Sequence, residues 1–268
     1  MPIRPTVEPV GPLVGYAAGV EPPKTAAVLL IGNEILSGKI EDENLAPLAR
    51  LLRELGIRLS RVLVVPDDLD VIAGEVRALS RAHDWVFTSG GVGPTHDDVT
   101  IEAVAKAFGV EVVTAPEMEA MLRAHYKERI HEGHLRMALV PEGAILEVTS
   151  DVRWPTVRMA NVWCLPGVPE VFRMKLAVVR ERIAPAERFV SLAVYTNMDE
   201  GELKPLLDRV VSDYPDVDVG SYPKWHDPTY STKITFDGRN ALRVTAARDA
   251  FVATLPPGEP LPIESAGE

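Results

Sequence analysis

A single cysteine, Cys164, occurs among the 268 residues. One thiol cannot close an intramolecular disulfide, and it cannot build a cysteine-rich zinc site. Cys164 sits inside an apolar run, where a packing thiol is expected rather than a reactive one. Basic residues are also scarce. Lys and Arg number 28 against 39 Asp and Glu, a formal net charge of −11. Without a broad basic surface to neutralise phosphates, a general nucleic-acid binder is excluded. A nucleotide would have to be met locally, by backbone N–H groups, a metal ion or a few cations. No run approaches the ~20 apolar residues of a membrane span. The N-terminus lacks the basic region and apolar core of a signal peptide, so the expected location is the cytoplasm.

What is present is an ordinary globular balance, 46% hydrophobic and 25% charged. That length and composition suit one large or two modest domains. The most informative string is Thr88-Ser89-Gly90-Gly91-Val92-Gly93-Pro94-Thr95-His96-Asp97-Asp98-Val99-Thr100. It follows the apolar run Trp85-Val86-Phe87 and opens a helical pattern. Glycines at a strand-to-helix corner let backbone N–H groups approach an anion. Two carboxylates at its mouth suit a phosphate-bearing ligand with a divalent metal between phosphate and carboxylate. A tight turn with Asp97 or Asp98 capping the next helix accounts for the same residues.

A second string repeats the plan. Val28-Leu29-Leu30-Ile31 reads as a buried strand, followed by Gly32-Asn33-Glu34-Ile35-Leu36-Ser37-Gly38-Lys39-Ile40-Glu41-Asp42-Glu43-Asn44. The helix after it carries Leu45, Leu48, Ala49, Leu52 and Leu55 on one face. In an open parallel α/β sheet, loops at the carboxyl ends of strands share one edge and form the ligand crevice. Asp42 and Asp98 belong to such loops.

Together these strings resemble the molybdopterin-binding domain family. The resemblance is to the branch at the front of competence/damage-inducible protein A and of eukaryotic FAD synthases. Val62-Leu63-Val64-Val65-Pro66-Asp67-Asp68, Cys164-Leu165-Pro166-Gly167-Val168-Pro169-Glu170 and Gly220-Ser221-Tyr222-Pro223 support that branch. The last is most similar to the FAD synthase version. The resemblance spans about Lys24 to Pro257. It implies an α/β, three-layer parallel-sheet domain followed by a small α+β domain, with the two aspartates that match, Asp42 and Asp98, at the active site.

The alternation of strand and helix periods divides the chain in the same way. Residues 1–24 form an irregular leader rich in proline, 25–184 the nucleotide- and phosphate-binding domain, 185–256 the small domain and 257–268 a tail. From Leu139 the pattern changes to short strands at hairpin spacing, an antiparallel corner that returns to the sheet. After Ala184-Pro185-Ala186 the order becomes strand, helix, strand, strand, helix.

Candidate catalytic residues are Asp42 and Asp98. The same two are candidate metal ligands, joined by Asp97 and Glu34, for Mg²⁺, Mn²⁺, Co²⁺ or Ni²⁺. Ser37, Gly38, Ser89, Gly90, Gly91, Gly93, Thr95, Pro166 and Gly167 are candidate ligand-binding residues. His96, His131 and His134 are read as surface residues. Tyr222, Trp225 and His226 are read as either a stacking surface or packing residues.

The resemblance implies metal-dependent hydrolysis of a nucleotide pyrophosphate of the FAD or ADP-ribose type. Two alternatives remain: a molybdopterin-binding or adenylyl-transferring protein, and a nucleotide-binding module without turnover. The sequence shows neither the synthase domain of FAD synthases nor the amidase domain of many competence proteins, which keeps the last in view. Expected partners are a small-molecule dinucleotide or pterin phosphate, with no nucleic acid and no membrane. A homo-oligomer is expected.

Overall fold

The structure, a computed structural model, describes residues 24–225 and 229–262. The leader before Lys24, His226 and the end of the tail lie outside the described residues. The chain forms two compact units that divide between Ala186 and Glu187.

In the first unit, β1 (Thr25–Ile31), the short α1 (Asn33–Leu36), α2 (Leu45–Glu54), β2 (Arg58–Val65), α3 (Leu69–Ala82) and β3 (Trp85–Ser89) come first. Then follow α4 (Thr100–Phe108), β4 (Val112–Thr114), α5 (Pro116–Tyr126), a 3-10 turn (Lys127–Arg129), α6 (Glu132–Arg136), β5 (Leu139–Pro141) and β6 (Ile145–Glu147). β7 (Thr156–Met159), β8 (Val162–Leu165) and α7 (Pro169–Arg182) complete it. The main sheet has the order β2-β1-β3-β8-β7-β6. β1 pairs in parallel with β2 and β3, and β3 pairs in parallel with β8. β7 and β6 run antiparallel, the corner expected after Leu139. β4 and β5 form a separate antiparallel pair.

β1 shows why the domain has three layers. Ala27, Leu29 and Ile31 enter one core with Ile72, Val76 and Leu79 of α3 and Val104 of α4. Ala26, Val28 and Leu30 enter the other with Leu48 and Leu52 of α2 and Phe172 and Val179 of α7. A strand apolar on both faces must be covered on both, as parallel sheets are.

The first strand feeds β2 on one side while β3 lies on the other, which makes a switch point between β1 and β3. Because β2, β1, β3 and β8 are parallel, the loops leaving Val65, Ile31, Ser89 and Leu165 all emerge at one edge.

Local differences from the sequence reading have local causes. The strand expected from Val110 begins at Val112, since Gly109 ends α4 in a left-handed conformation and the Val110 N–H bonds to the Ala105 carbonyl. The charged helix from Pro116 stops at Tyr126, where Lys127 takes a positive φ of 51°.

In the second unit, β9 (Val190–Thr196), α8 (Glu200–Asp213), β10 (Asp218–Pro223), β11 (Thr232–Gly238) and α9 (Ala241–Val252) form an antiparallel sheet of order β10-β11-β9. Ile234 and Phe236 pack on Leu203, Val244 and Phe251. Asp199 caps α8 by accepting from Gly201 and Glu202 N–H at 2.7 and 3.0 Å. Among the described residues no helix is long and apolar enough to cross a membrane.

Candidate functional site

The loops at the shared strand edge enclose a cleft of 620 Å³ within the first unit. Glu34, Asp42, Ser89, Gly90, Gly91, Gly93, Thr95, Asp97, Asp98, Pro166 and Gly167 all line it. Ser37 and Gly38 do not. Ser37 ends α1 with its hydroxyl donating to the Glu34 carbonyl at 3.2 Å, and Gly38 supplies the left-handed turn after it.

The glycine corner is built by close packing. Gly90 has φ +108°, and a Cβ there would lie 2.3 Å from the Ile31 carbonyl oxygen. The buried Thr100 hydroxyl donates to the Gly90 carbonyl at 2.9 Å. A Cβ on Gly93 would fall 2.7 Å from Asp98 Oδ2, so only glycine lets that carboxylate fold over the loop.

The two central aspartates differ. Asp42 accepts the N–H groups of Asn44 and Leu45 at 3.3 and 2.9 Å, at the start of α2. The Leu45 N–H opens α2 and has no intrahelical acceptor, so Asp42 takes a helix N–H from outside the N-cap position, which Asn44 holds without a side-chain cap. Asp98 does not cap α4, which begins after Val99 without a side-chain cap. Its Oδ2 accepts the Thr95 N–H at 2.8 Å and the Thr95 hydroxyl. Hydrogen bonding from Thr95, then from its own backbone N–H, also holds the Asp97 carboxyl below the usual carboxylate range, opposed by desolvation and assisted by His96. A hydroxyl carries one proton, so Asp97 and Asp98 compete for it. His96 is solvent-exposed, 3.9 Å from Asp97.

Sequence reasoning missed three cleft residues. Asn44 is buried at 4% exposure. Its amide donates to Ser89 Oγ at 3.0 Å and to the Gly167 carbonyl at 2.7 Å, tying three loops together. Asp67 lines the cleft and accepts the Asn33 N–H at 2.8 Å. Its signal was its place just beyond β2, at the same edge. Lys175 of α7 lines the cleft at 3% exposure, and burial pulls its ammonium down to about 8. His131 and His134 do not line the cleft. His134 is half-buried, stacks on Tyr126 at 3.7 Å and accepts the His131 N–H at the start of α6.

Eight carboxylates line the cleft against two cations, Arg136 and Lys175. Among the described residues, no three His, Cys, Asp or Glu side chains converge to hold an ion by themselves. The donors are hard oxygens. That set fits a magnesium-type ion, which keeps several waters and takes one or two carboxylates plus ligand phosphates.

Residues 27–184 match the family model described as "Probable molybdopterin binding domain", and residues 188–263 match "FAD synthase, middle domain". A protein of Archaeoglobus fulgidus is 36% identical over 229 residues, 85% of this chain and 96% of that protein. A "Probable FAD synthase" of Caenorhabditis briggsae is 31% identical over 259 residues, 87% of this chain. The chain spans 50% of that relative's length. The solved structure of the protein CinA, of unknown function, from Thermoplasma acidophilum matches with a TM-score of 0.55 and 32% identity, over 60% of this chain and 98% of that one. The chain belongs to the molybdopterin-binding domain family, in the form followed by a FAD synthase middle domain.

Proposed function

We propose that the cleft binds a nucleotide pyrophosphate of the FAD or ADP-ribose type and hydrolyses it with the help of a divalent cation. The observation that carries this reading is the convergence of Asp42 and Asp98, from two separate strand-end loops, on one cleft with the glycine corner. The acidic lining repels a bare phosphate ligand, so binding requires added positive charge. Asp42 and Asp98 would hold Mg²⁺, Mn²⁺, Co²⁺ or Ni²⁺, with Asp97 and Glu34 in reach of the same cleft. Such an ion supplies charge neutralisation at the phosphates and activation of water.

The chain's own residues do the positioning. The Gly90–Gly93 backbone admits the pyrophosphate closely, and Ser89, whose oxygen accepts from Asn44, offers a hydroxyl donor. Asn44 fixes the three loops in register. Water adds at one phosphorus, the bridging P–O bond breaks, and the products are AMP and the partner phosphate.

The match over residues 27–184 favours a second reading, in which the same cleft takes a pterin phosphate, as carrier or as substrate for adenylyl transfer. One panel separates these. FAD, ADP-ribose, NAD and molybdopterin are incubated with each cation and followed by chromatography. AMP that forms with wild type and not with the Asp42→Asn, Asp98→Asn double variant supports hydrolysis. Tight binding without AMP under every cation retires it in favour of a carrier or regulatory module.

A further inference from the structure

Lys175 is the cleft cation that the reading above leaves unused. Arg136, the other one, donates to Glu102 at 3.1 Å and to the Asp98 carbonyl at 3.1 Å. Its charge is thus already paired. Lys175 is 3% exposed, and among the described residues its Nζ bonds only to the carbonyl oxygens of Trp154 and Pro155. Among the described residues no carboxylate lies within ion-pair distance of it. An ammonium has three donors, so one remains without an acceptor among the described residues.

Burying a charge without a counter-charge is costly, and burying an N–H without an acceptor adds to the cost. Bracing two carbonyls does not require a charge, because a neutral amide donates as well. The position is informative too. Lys175 and Val171 are four apart on α7, Val168 stands at its N-cap, and all three line the cleft with Trp154 and Pro155. This wall belongs to the same cleft as the carboxylates, with the opposite charge.

We propose that Lys175 is an anion-binding residue, whose free N–H and positive charge meet a phosphate oxygen of the bound ligand. The inference rests on the reading of the cleft as a phosphate-ligand site. It assigns the cleft two phosphate contacts of different kind: a cation-bridged one at Asp42 and Asp98, and a direct ammonium contact at the α7 wall. A ligand with two linked phosphates satisfies both.

Calorimetry of the full chain with inorganic pyrophosphate and Mg²⁺ tests this. Lys175→Met replaces the charge by an apolar chain of similar length and gives up the donors to Trp154 and Pro155. Lys175→Gln keeps donors for Trp154 and Pro155 and removes only the charge. Both variants should bind pyrophosphate about 10- to 100-fold more weakly than wild type. Wild-type affinity in Lys175→Gln, or no pyrophosphate binding by wild type, overturns the proposal. FAD and ADP-ribose are run beside it. Equal affinity of wild type and both variants for these ligands removes Lys175 and leaves the dinucleotide reading standing. Pyrophosphate bound through Lys175, with neither dinucleotide bound, keeps the anion site and retires that reading.

Discussion

The side-chain amide of Asn44 donates to the backbone carbonyl of Gly167 at 2.7 Å, across 123 positions of sequence. The same amide nitrogen reaches Ser89 Oγ at 3.0 Å. Asn44→Ala leaves the buried Ser89 hydroxyl and the part-buried Gly167 carbonyl without this donor. It should destabilise the first unit by about 1–3 kcal/mol in urea unfolding. Asn44→Asp has no amide donor to give and should be at least as damaging at neutral pH. Wild-type stability in both variants would show that the loops hold their register without Asn44.

Asp98→Asn keeps an oxygen for the Thr95 N–H, so stability should change by less than about 1 kcal/mol. On the hydrolase reading it removes charge that holds the cation, and AMP release should fall roughly 100-fold or more. Unchanged AMP release would take Asp98 out of the chemistry.

Cys164 is 5% exposed, and burial pushes its thiol up to about 12. At pH 8 only about one molecule in ten thousand carries the thiolate that reacts. Iodoacetamide should therefore label the unfolded chain and spare the native one, as read by mass spectrometry. Native labelling at the unfolded rate would contradict the burial.

Burial lowers the Lys175 ammonium to about 8 from an ordinary 10.5. Between those values the unfolded chain holds a proton that the native chain has released, so native stability rises with pH. The cost of the buried charge is complete below about pH 8 and gone above about 10.5. Wild type should gain on Lys175→Met across this window, by at most about 3 kcal/mol. Melting temperatures measured from pH 7 to 10.5 check the sign, and a constant gap rules it out.

In the second unit, Arg243 clasps Asp216 through both nitrogens, Nε to Oδ2 at 3.0 Å and a terminal nitrogen to Oδ1 at 2.7 Å. The Arg243 hydrogen bonds hold the Asp216 carboxyl below its ordinary 3.8. The stabilisation is present above about pH 4 and is lost as pH falls through the native value. Asp216→Asn should cost less than about 1 kcal/mol at pH 7, because the pair is partly exposed. Acid titration of both proteins should show the gap closing as pH falls below about 4.

Period and punctuation in the sequence carried the layers. Alternating apolar residues on β1 called for cover on both faces, and glycine-bearing loops after Ile31 and Ser89 marked the edge where a ligand cleft forms. His134 was less legible. Gly133 weakens a helix there, yet stacking on Tyr126 and the His131 N–H hold α6 in place. Asn44, Asp67 and Lys175 carried no distinguishing local signal. Each gains its place from partners 34, 123 or 21 positions away.

Strand and helix positions, the strand-end loops and the acidic balance were determined by the sequence alone, because they depend on neighbours within a few residues. Tertiary structure decided what each polar group in those loops does. Asp42 and Asp98 are the same residue type in similar loops before helices. One takes the first N–H of its helix, and the other turns to Thr95. Which donor is left open to a carboxylate depends on how the chain packs around it. That packing is set by contacts far apart in sequence, which no local spacing encodes.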